Sequence, residues 1–313
     1  MQYRQLGKSG VRVSVIGLGA NRFGYEAMPQ AEVDRVIGTA ADLGINFIDS
    51  ANVYQGGRSE ETIGNALKGR REQFVVATKF TGRVGPGPND HGASRYHLFQ
   101  AIEGSLRRLQ TDRIDLYYVH NFDETTPVEE MLRGLDDLVR AGKVRYIGAS
   151  NFAAWQIAHA NTLAECRGWT PFVASQVPYH MLDRAVEAEM LGFCGNQGVG
   201  LIPYLPLAGG FLTGKYRRGE PAPAGSRGES NKYVQQYMND AGYTMVERLT
   251  ALAAQEGHTL GELAHAWLLA HPQVSSVISG ATRLAQMEEN AKAADWALSP
   301  ETFAAAYQIL EGK

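Results

Sequence analysis

Residues 96–150, YHLFQAIEGSLRRLQTDRIDLYYVHNFDETTPVEEMLRGLDDLVRAGKVRYIGAS, decide the fold. They open on an amphipathic run from Tyr96 to Leu109, with Ile102, Leu106 and Leu109 at helical spacing. A short β-branched and aromatic run from Ile114 to His120 follows, then a second amphipathic run from Val128 to Ala141 and a second short run from Val144 to Ala149. Short strands alternating with longer amphipathic segments are repeated βα units, and they predict a parallel sheet.

The rhythm continues in both directions. Further strands are predicted near Val13 to Leu18, Asn46 to Asp49, Phe74 to Lys79, Phe172 to Val177, Leu201 to Tyr204 and Val274 to Ser279. Eight in all fit a closed (β/α)8 TIM barrel, an α/β fold. The other helices are predicted from Gln30 to Leu43, Glu60 to Lys68, Ala153 to Glu165, Arg184 to Asn196, Tyr243 to Ala254 and Leu284 to Ala293. Two extra helices are expected at Leu260 to Leu269 and Pro300 to Leu310, and the opening RQLGKSGVRVS reads as a hairpin around Gly7 to Gly10 that closes the barrel floor. The aperiodic stretch from Ala208 to Asp240 contains RRGEPAPAGSRGESNKY, and a βα unit still follows it, so it reads as a lid or binding loop within one domain spanning residues 1–313.

Composition narrows the partner. Of 313 residues 44% are hydrophobic, and the net charge of −3 with no Lys/Arg run leaves no electrostatic footprint for nucleic acid or an anionic membrane. The amino terminus has no signal-peptide pattern and no apolar run reaches spanning length, so a cytoplasmic chain with a small-molecule partner is expected; the oligomeric state is not legible. Cys166 and Cys194 have no metal-ligand or CxxC spacing and are expected to pack as small free thiols.

In a parallel barrel the carboxyl ends of the strands converge on one face, where active sites sit. Here Asp49, Lys79, His120, Ser150 with Asn151, Gln176, Tyr204 and Gly280 fall at seven successive ends. Singly, a strand-end Asp or Asn is more often a cap or turn residue and a lone His an ordinary hydrogen-bonded side chain. Together on one face they make a site. Lys79 ends an apolar strand, where an ammonium is costly to bury without an anion, and Asp49 can supply it. Tyr54, five residues after Asp49, lies in reach of the same ammonium, and a cation beside a phenol favours proton release. Such a pair donates a proton to a ketone or accepts one from an alcohol.

These residues resemble the aldo-keto reductases, and among them the bacterial and potassium-channel β-subunit-like branch, over essentially the whole chain. NFIDSANVYQGGRSEETIGNAL, VVATKF, IDLYYVHNFD, GKVRYIGASNF, ASQVPYH, IPYLPLAGGFLTGKY and VISGATRLAQMEEN occur in the order of the family's segments. The resemblance implies an NADPH-dependent oxidoreductase that reduces aldehydes or ketones, with Tyr54 as general acid tuned by Lys79 and Asp49, and His120 orienting the carbonyl. It implies that Ser150, Asn151 and Gln176 bind the nicotinamide amide, that Tyr204 stacks on the ring, and that Leu205, Pro206, Leu207 and Gly210 follow the pyrophosphate. Lys215 and Arg227 would meet its charge, and Gly280, Thr282, Arg283, Gln286, Glu289 and Asn290 would hold the adenosine end. An arginine beside the free amides of a helix start favours a 2′-phosphate, hence NADPH over NADH. Asn21 is expected to join the cofactor contacts, and Arg22 and Phe23, on the same loop, to line a substrate pocket with Phe122. Gln55, Ser279 and His180 depart from the family pattern, which usually has Gly, Pro and Asn or Ser at those places.

Other readings are weaker. VIGLGANRFG lacks the third glycine and the helix start of a dinucleotide fingerprint. His91 and His97 have no zinc spacing and read as solvated loop residues. Two other functions are weighed: a nucleotide-binding regulatory or redox-sensor barrel with little turnover, and a metal-dependent hydrolase or lyase using His120 with Asp49. Paired metal ligands at the strand ends are missing for the second, and no metal is expected.

Overall fold

A computed structural model describes residues 1–281 and 283–312. Eight parallel strands, β3 (Ile16–Gly19), β4 (Phe47–Asp49), β5 (Val75–Phe80), β6 (Ile114–Val119), β7 (Val144–Ser150), β8 (Phe172–Pro178), β9 (Gly200–Tyr204) and β10 (Val277–Gly280), close into a barrel in chain order, with β10 back against β3. Around it lie α1 (Gln30–Asp42), α2 (Arg58–Ala66), α3 (Arg95–Leu109), α4 (Val128–Arg140), α5 (Ala154–Arg167), α6 (Met190–Gln197), the single turn α7 (Lys232–Gln235), α8 (Asp240–Gln255), α9 (Leu260–Leu269), α10 (Leu284–Lys292) and α11 (Pro300–Leu310). The predicted fold class, floor hairpin and extra helices are all present. Among the described residues no helix is long and apolar enough to cross a membrane.

Strand periodicity divides the core in two. Phe47, Ala77, Leu116, Tyr118, Ala174, Ile202 and Ile278 fill the barrel interior, while Ile48, Val76, Phe80, Tyr117, Val119, Ile147 and Leu201 face the helices. On β5 the same alternation turns Lys79 inward, two residues above Ala77, in register with Tyr118 of β6. The hairpin of β1 (Tyr3–Gln5) and β2 (Arg12–Ser14) sends Leu6 and Val13 into the interior cluster from below. Its turn needs glycine: at Gly7, with φ of +56°, a Cβ would sit 2.5–2.7 Å from the Val173 and Gly198 carbonyl oxygens and the Gly200 nitrogen. The amino ends of the strands are thereby sealed, leaving the carboxyl ends as the open face.

Several elements differ from expectation. The first strand, read as one from Val13 to Leu18, is two: the chain leaves the floor hairpin after Ser14, whose hydroxyl donates to the Ile16 carbonyl, and enters the barrel at Ile16. Val274 reaches β9 only through an isolated bridge, and β10 starts at Val277. The helix predicted from Arg184 to Asn196 breaks at Glu189, whose φ of −142° is not helical, into a short turn and α6. The stretch from Ala208 to Asp240 holds 3-10 turns at Ala208–Thr213 and Arg227–Glu229 and then α7. His97 is a buried residue of the first turn of α3, because Ser94 accepts its backbone N–H and starts the helix early; His91 is exposed as expected. Cys194 is buried, but Cys166 is exposed on the last turn of α5.

Candidate active site

Lys79 organises the open face. Its side chain is wholly buried, and an ammonium has three hydrogens to place. All three find acceptors: Asp49 Oδ2 at 2.7 Å, the Ser50 carbonyl oxygen at 2.7 Å and Tyr54 Oη at 3.3 Å. Burial pushes the Lys79 pKa down, but the charge of Asp49 and the Tyr54 oxygen outweigh it, and the net direction is upward. Asp49 Oδ1 in turn accepts from Gln176 Nε2 at 3.0 Å, so β4, β5 and β8 are joined through one carboxylate. Tyr54 is carried here by a tight turn after β4 in which Gln55 has φ of 52°, the left-handed region that glycine favours. The Gln55 side chain holds that turn to the loop after β3 by donating to the Asn21 carbonyl.

His120 stands edge-on to Tyr54, ring centres 5.9 Å apart. Burial, and then the Lys79 charge, push its pKa down to about 3, so the imidazole is neutral at physiological pH and offers one N–H. Asn151, with φ of 58°, links three strand ends: its amide donates to the His120 carbonyl at 2.9 Å and to Asn121 and Ser150, and its Oδ1 accepts from the Tyr204 hydroxyl at 2.8 Å. Thr81, Asn151 and Leu205 all take positive φ immediately after β5, β7 and β9. Non-glycine residues held this way cost about 1–3 kcal/mol each and cluster where a backbone is shaped for function.

A cavity of about 870 Å³ starts at Asp49, Tyr54 and His120 and runs past Ser150, Asn151, Gln176 and Tyr204 to the start of α10. Along it lie the expected Leu205, Pro206, Leu207, Gly210, Lys215 and Arg227, then Gly280, Arg283, Gln286, Glu289 and Asn290. Thr282 lies outside the described residues. Asn21 and Arg22 also line the wall. Phe23 is a correction, being wholly buried in the layer between barrel and helices, while Phe122 is half-buried, packs edge-on against Phe152 and Trp155 and is not among the residues lining this cavity. Sequence reasoning missed Tyr25, Met28, Ser226 and Ser279, which also line it. The long connection from β3 to α1 was the available signal for the first two, and the Gly-Ser-Arg of the long loop for the third.

Charge along this cavity points to an anion. Among the described residues none of Arg22, Lys215, Arg227 or Arg283 is paired with a carboxylate. Burial and then the neighbouring charge of Arg22 lower the Arg227 pKa, so that guanidinium sits in an environment a negative ligand would relieve. At Gly210, with φ of +106°, the lack of a side chain lets Lys215 approach, since a Cβ would lie 3.1 Å from its Nζ. At the start of α10 the N-cap residue is Arg283, whose side chain makes no cap hydrogen bond to the first-turn amides. A long ligand with a phosphate-rich middle fits this donor set. No three His, Cys, Asp or Glu side chains among the described residues are placed to hold a metal ion.

Comparison with known proteins agrees with this geometry. The profile of the Aldo/keto reductase family matches residues 15–311. A probable voltage-gated potassium channel subunit beta from Arabidopsis thaliana is 40% identical over 304 residues, covering 94% of this chain and 92% of that protein. An uncharacterized oxidoreductase of Bacillus subtilis is 36% identical over 324 residues, covering 100% and 97%, and the L-glyceraldehyde 3-phosphate reductase of Escherichia coli K12 is 34% identical over 305 residues, covering 94% and 87%.

Proposed function

Because the chain belongs to the aldo/keto reductase family, and is at that level an oxidoreductase, we propose that it is an NADPH-dependent reductase of an aldehyde or ketone, with Tyr54 as the general acid. The observation that carries this reading is the arrangement at Lys79 Nζ. An ammonium only donates, so its contact with Tyr54 Oη engages a lone pair and leaves the phenolic O–H free for the cavity. Bound NADPH would supply a hydride to the carbonyl carbon. The Tyr54 O–H bond then breaks as the alcohol O–H bond forms, and the neighbouring Lys79 charge stabilises the phenolate left behind. Neutral His120 donates its N–H to the carbonyl oxygen and orients it. Asp49 keeps Lys79 charged, and Gln176 fixes Asp49. Ser150, Asn151 and the free oxygen of Gln176 are suited to a carboxamide, Tyr204 offers a ring face, Gly210, Lys215 and Arg227 suit a pyrophosphate, and Arg283 with Gln286, Glu289 and Asn290 suits an adenosine 2′-phosphate.

A panel of aldehydes, ketones and sugars assayed for steady NADPH consumption tests this reading. Turnover lowered about 10² to 10⁴-fold by Tyr54→Phe supports it. Cofactor oxidised in a single slow turnover, with no substrate sustaining a rate, would replace it with the nucleotide-binding sensor to which the likeness to a channel β subunit leads.

A further inference from the structure

Beyond the reacting groups, a buried histidine meets the long segment after β9. His180, four residues past Gln176, has no exposed surface. Its Nδ1 accepts the Leu182 N–H at 3.1 Å, which places the ring proton on Nε2, and Nε2 donates to Tyr233 Oη at 2.6 Å. The rings of Tyr233 and Tyr237 stand edge-on to it, with centres 6.2 and 5.8 Å away.

Tyr233 belongs to α7, and α7 is tied to two parts of the cavity wall. Gln235 donates to the Gly228 and Glu229 carbonyls, both at 3.1 Å, and the Asn231 N–H donates to the Arg227 carbonyl at 2.8 Å. Gly228 donates its N–H to the Tyr216 hydroxyl at 3.0 Å, which fixes the backbone beside Arg227 from its other side. Val234 covers Gly209 so closely that a Cβ there would lie 2.7 Å from its Cγ2. One hydrogen bond thus joins the end of β8 to the turn that holds Arg227 and to the glycines after β9, all of which border the same cavity.

We propose that His180 is a positioning residue whose hydrogen bond to Tyr233 seats α7 and, through it, Arg227 over the cavity, so that it sets how long a bound cofactor stays. The proposal rests on the reading of the cavity as an NADPH site. It gives His180 a role in cofactor retention and none in proton transfer at Tyr54.

The test uses His180→Asn, whose short side chain still accepts the Leu182 N–H but stops short of Tyr233, together with Tyr233→Phe and the double variant. Hydrogen exchange at backbone amides of residues 227–237 is followed in the ligand-free protein, and NADPH release by stopped-flow fluorescence. Each single change is expected to raise exchange and to speed release about three- to tenfold, the scale of one net hydrogen bond. The double variant is expected to release no faster than the singles, and the rate of single-turnover reduction to stay at the wild-type value. Unchanged exchange overturns the proposal, as do faster exchange with unchanged release, or additive effects in the double variant. A wild-type protein that binds no NADPH would instead refute the cofactor assignment, while exchange would still decide whether His180 seats α7.

Discussion

Replacing Asp49 with Asn removes one charge and leaves the shape almost unchanged. The Lys79 ammonium then stays wholly buried, with the Ser50 carbonyl and Tyr54 as its remaining partners. At 2.7 Å and an effective dielectric of roughly 20, the lost attraction is about 6 kcal/mol before relaxation. Removing one partner of a buried pair costs about 3–5 kcal/mol after relaxation, a large share of a domain's roughly 5–15 kcal/mol of stability. The pH dependence is the sharper signature. In the wild type the Lys79 pKa is raised, so its stabilisation is fully present below the ordinary lysine value and is lost as pH rises through the folded value. In the variant burial dominates, the folded pKa drops below the ordinary value, and the unfolded chain binds more protons in between. Its stability therefore increases from pH ~7 to ~9.5, opposite in sign to the wild-type contribution of this group. Urea unfolding at both pH values measures this, with Asp49→Asn/Lys79→Met expected to recover much of the loss because neither charge remains. A single variant that loses less than about 1 kcal/mol with an unchanged pH slope would refute the reasoning.

Tyr54→Phe removes only the donor, so kcat should fall by about 10² to 10⁴ while NADPH affinity stays near wild type; near-normal turnover by a folded, cofactor-binding variant would discard Tyr54 as the acid. Arg283→Ala should weaken NADPH binding by about 1.5–3 kcal/mol and leave NADH almost unaffected; equal losses in titrations of both cofactors would mean that the guanidinium does not read a 2′-phosphate. Saturating NADPH should slow protease cleavage between Pro221 and Ser230, because Ser226 and Arg227 line the cavity; identical digestion rates would show that this segment does not clasp the cofactor. Burial lowers the His180 pKa to about 4, so its stabilisation is present above the ordinary histidine value and is lost as pH falls. Between pH ~7 and ~5 that group should cost about 2 kcal/mol, a slope that unfolding curves of His180→Asn should lack.

What was legible in the sequence follows from what periodicity encodes. An ammonium that ends the apolar strand FVVAT needs a buried anion, which is why the sequence already pairs Lys79 with Asp49, and the pleat then turns Lys79 into the barrel. The starts of α9 and α11 could be read to the residue because each carries its own start sign: Thr259 with Glu262 as a reciprocal cap, and Ser299 followed by Pro300 at the first turn. Glu189 carries no such local sign, and there the helix breaks. Its break coincides with a tertiary demand, since Glu187 just before it accepts from the hydroxyls of Tyr179 and Tyr307, and Tyr307 lies 120 residues away on α11. Phe23 was misplaced for a related reason. Sequence puts it on a loop above the site beside Arg22, but loops have no side-chain period, and neighbours one residue apart point wherever packing takes them. Here Arg22 turns to the cavity and Phe23 into the helix layer.

The same distinction governs the site. Groups fixed to strands, Asp49, Lys79 and Gln176, have their direction set by the pleat and converge on one hydrogen-bonded unit, of which the sequence suggested the Asp49–Lys79 pair but not the bond from Gln176. Groups on connections depend on contacts that no local pattern announces, such as Gln55 donating to Asn21 and Tyr233 accepting from His180. Both contacts lie outside the hydrogen bonds of the Asp49–Lys79–Tyr54 unit, but the first holds the turn that carries Tyr54. The two contacts are therefore expected to act on different steps, Gln55 through the turn that carries Tyr54 and His180 through the segment that carries Arg227. A substitution at His180 is expected to change how long the cofactor stays while leaving the proton path from Tyr54 intact, whereas one at Gln55 loosens the turn that carries Tyr54 and is expected to lower turnover as well.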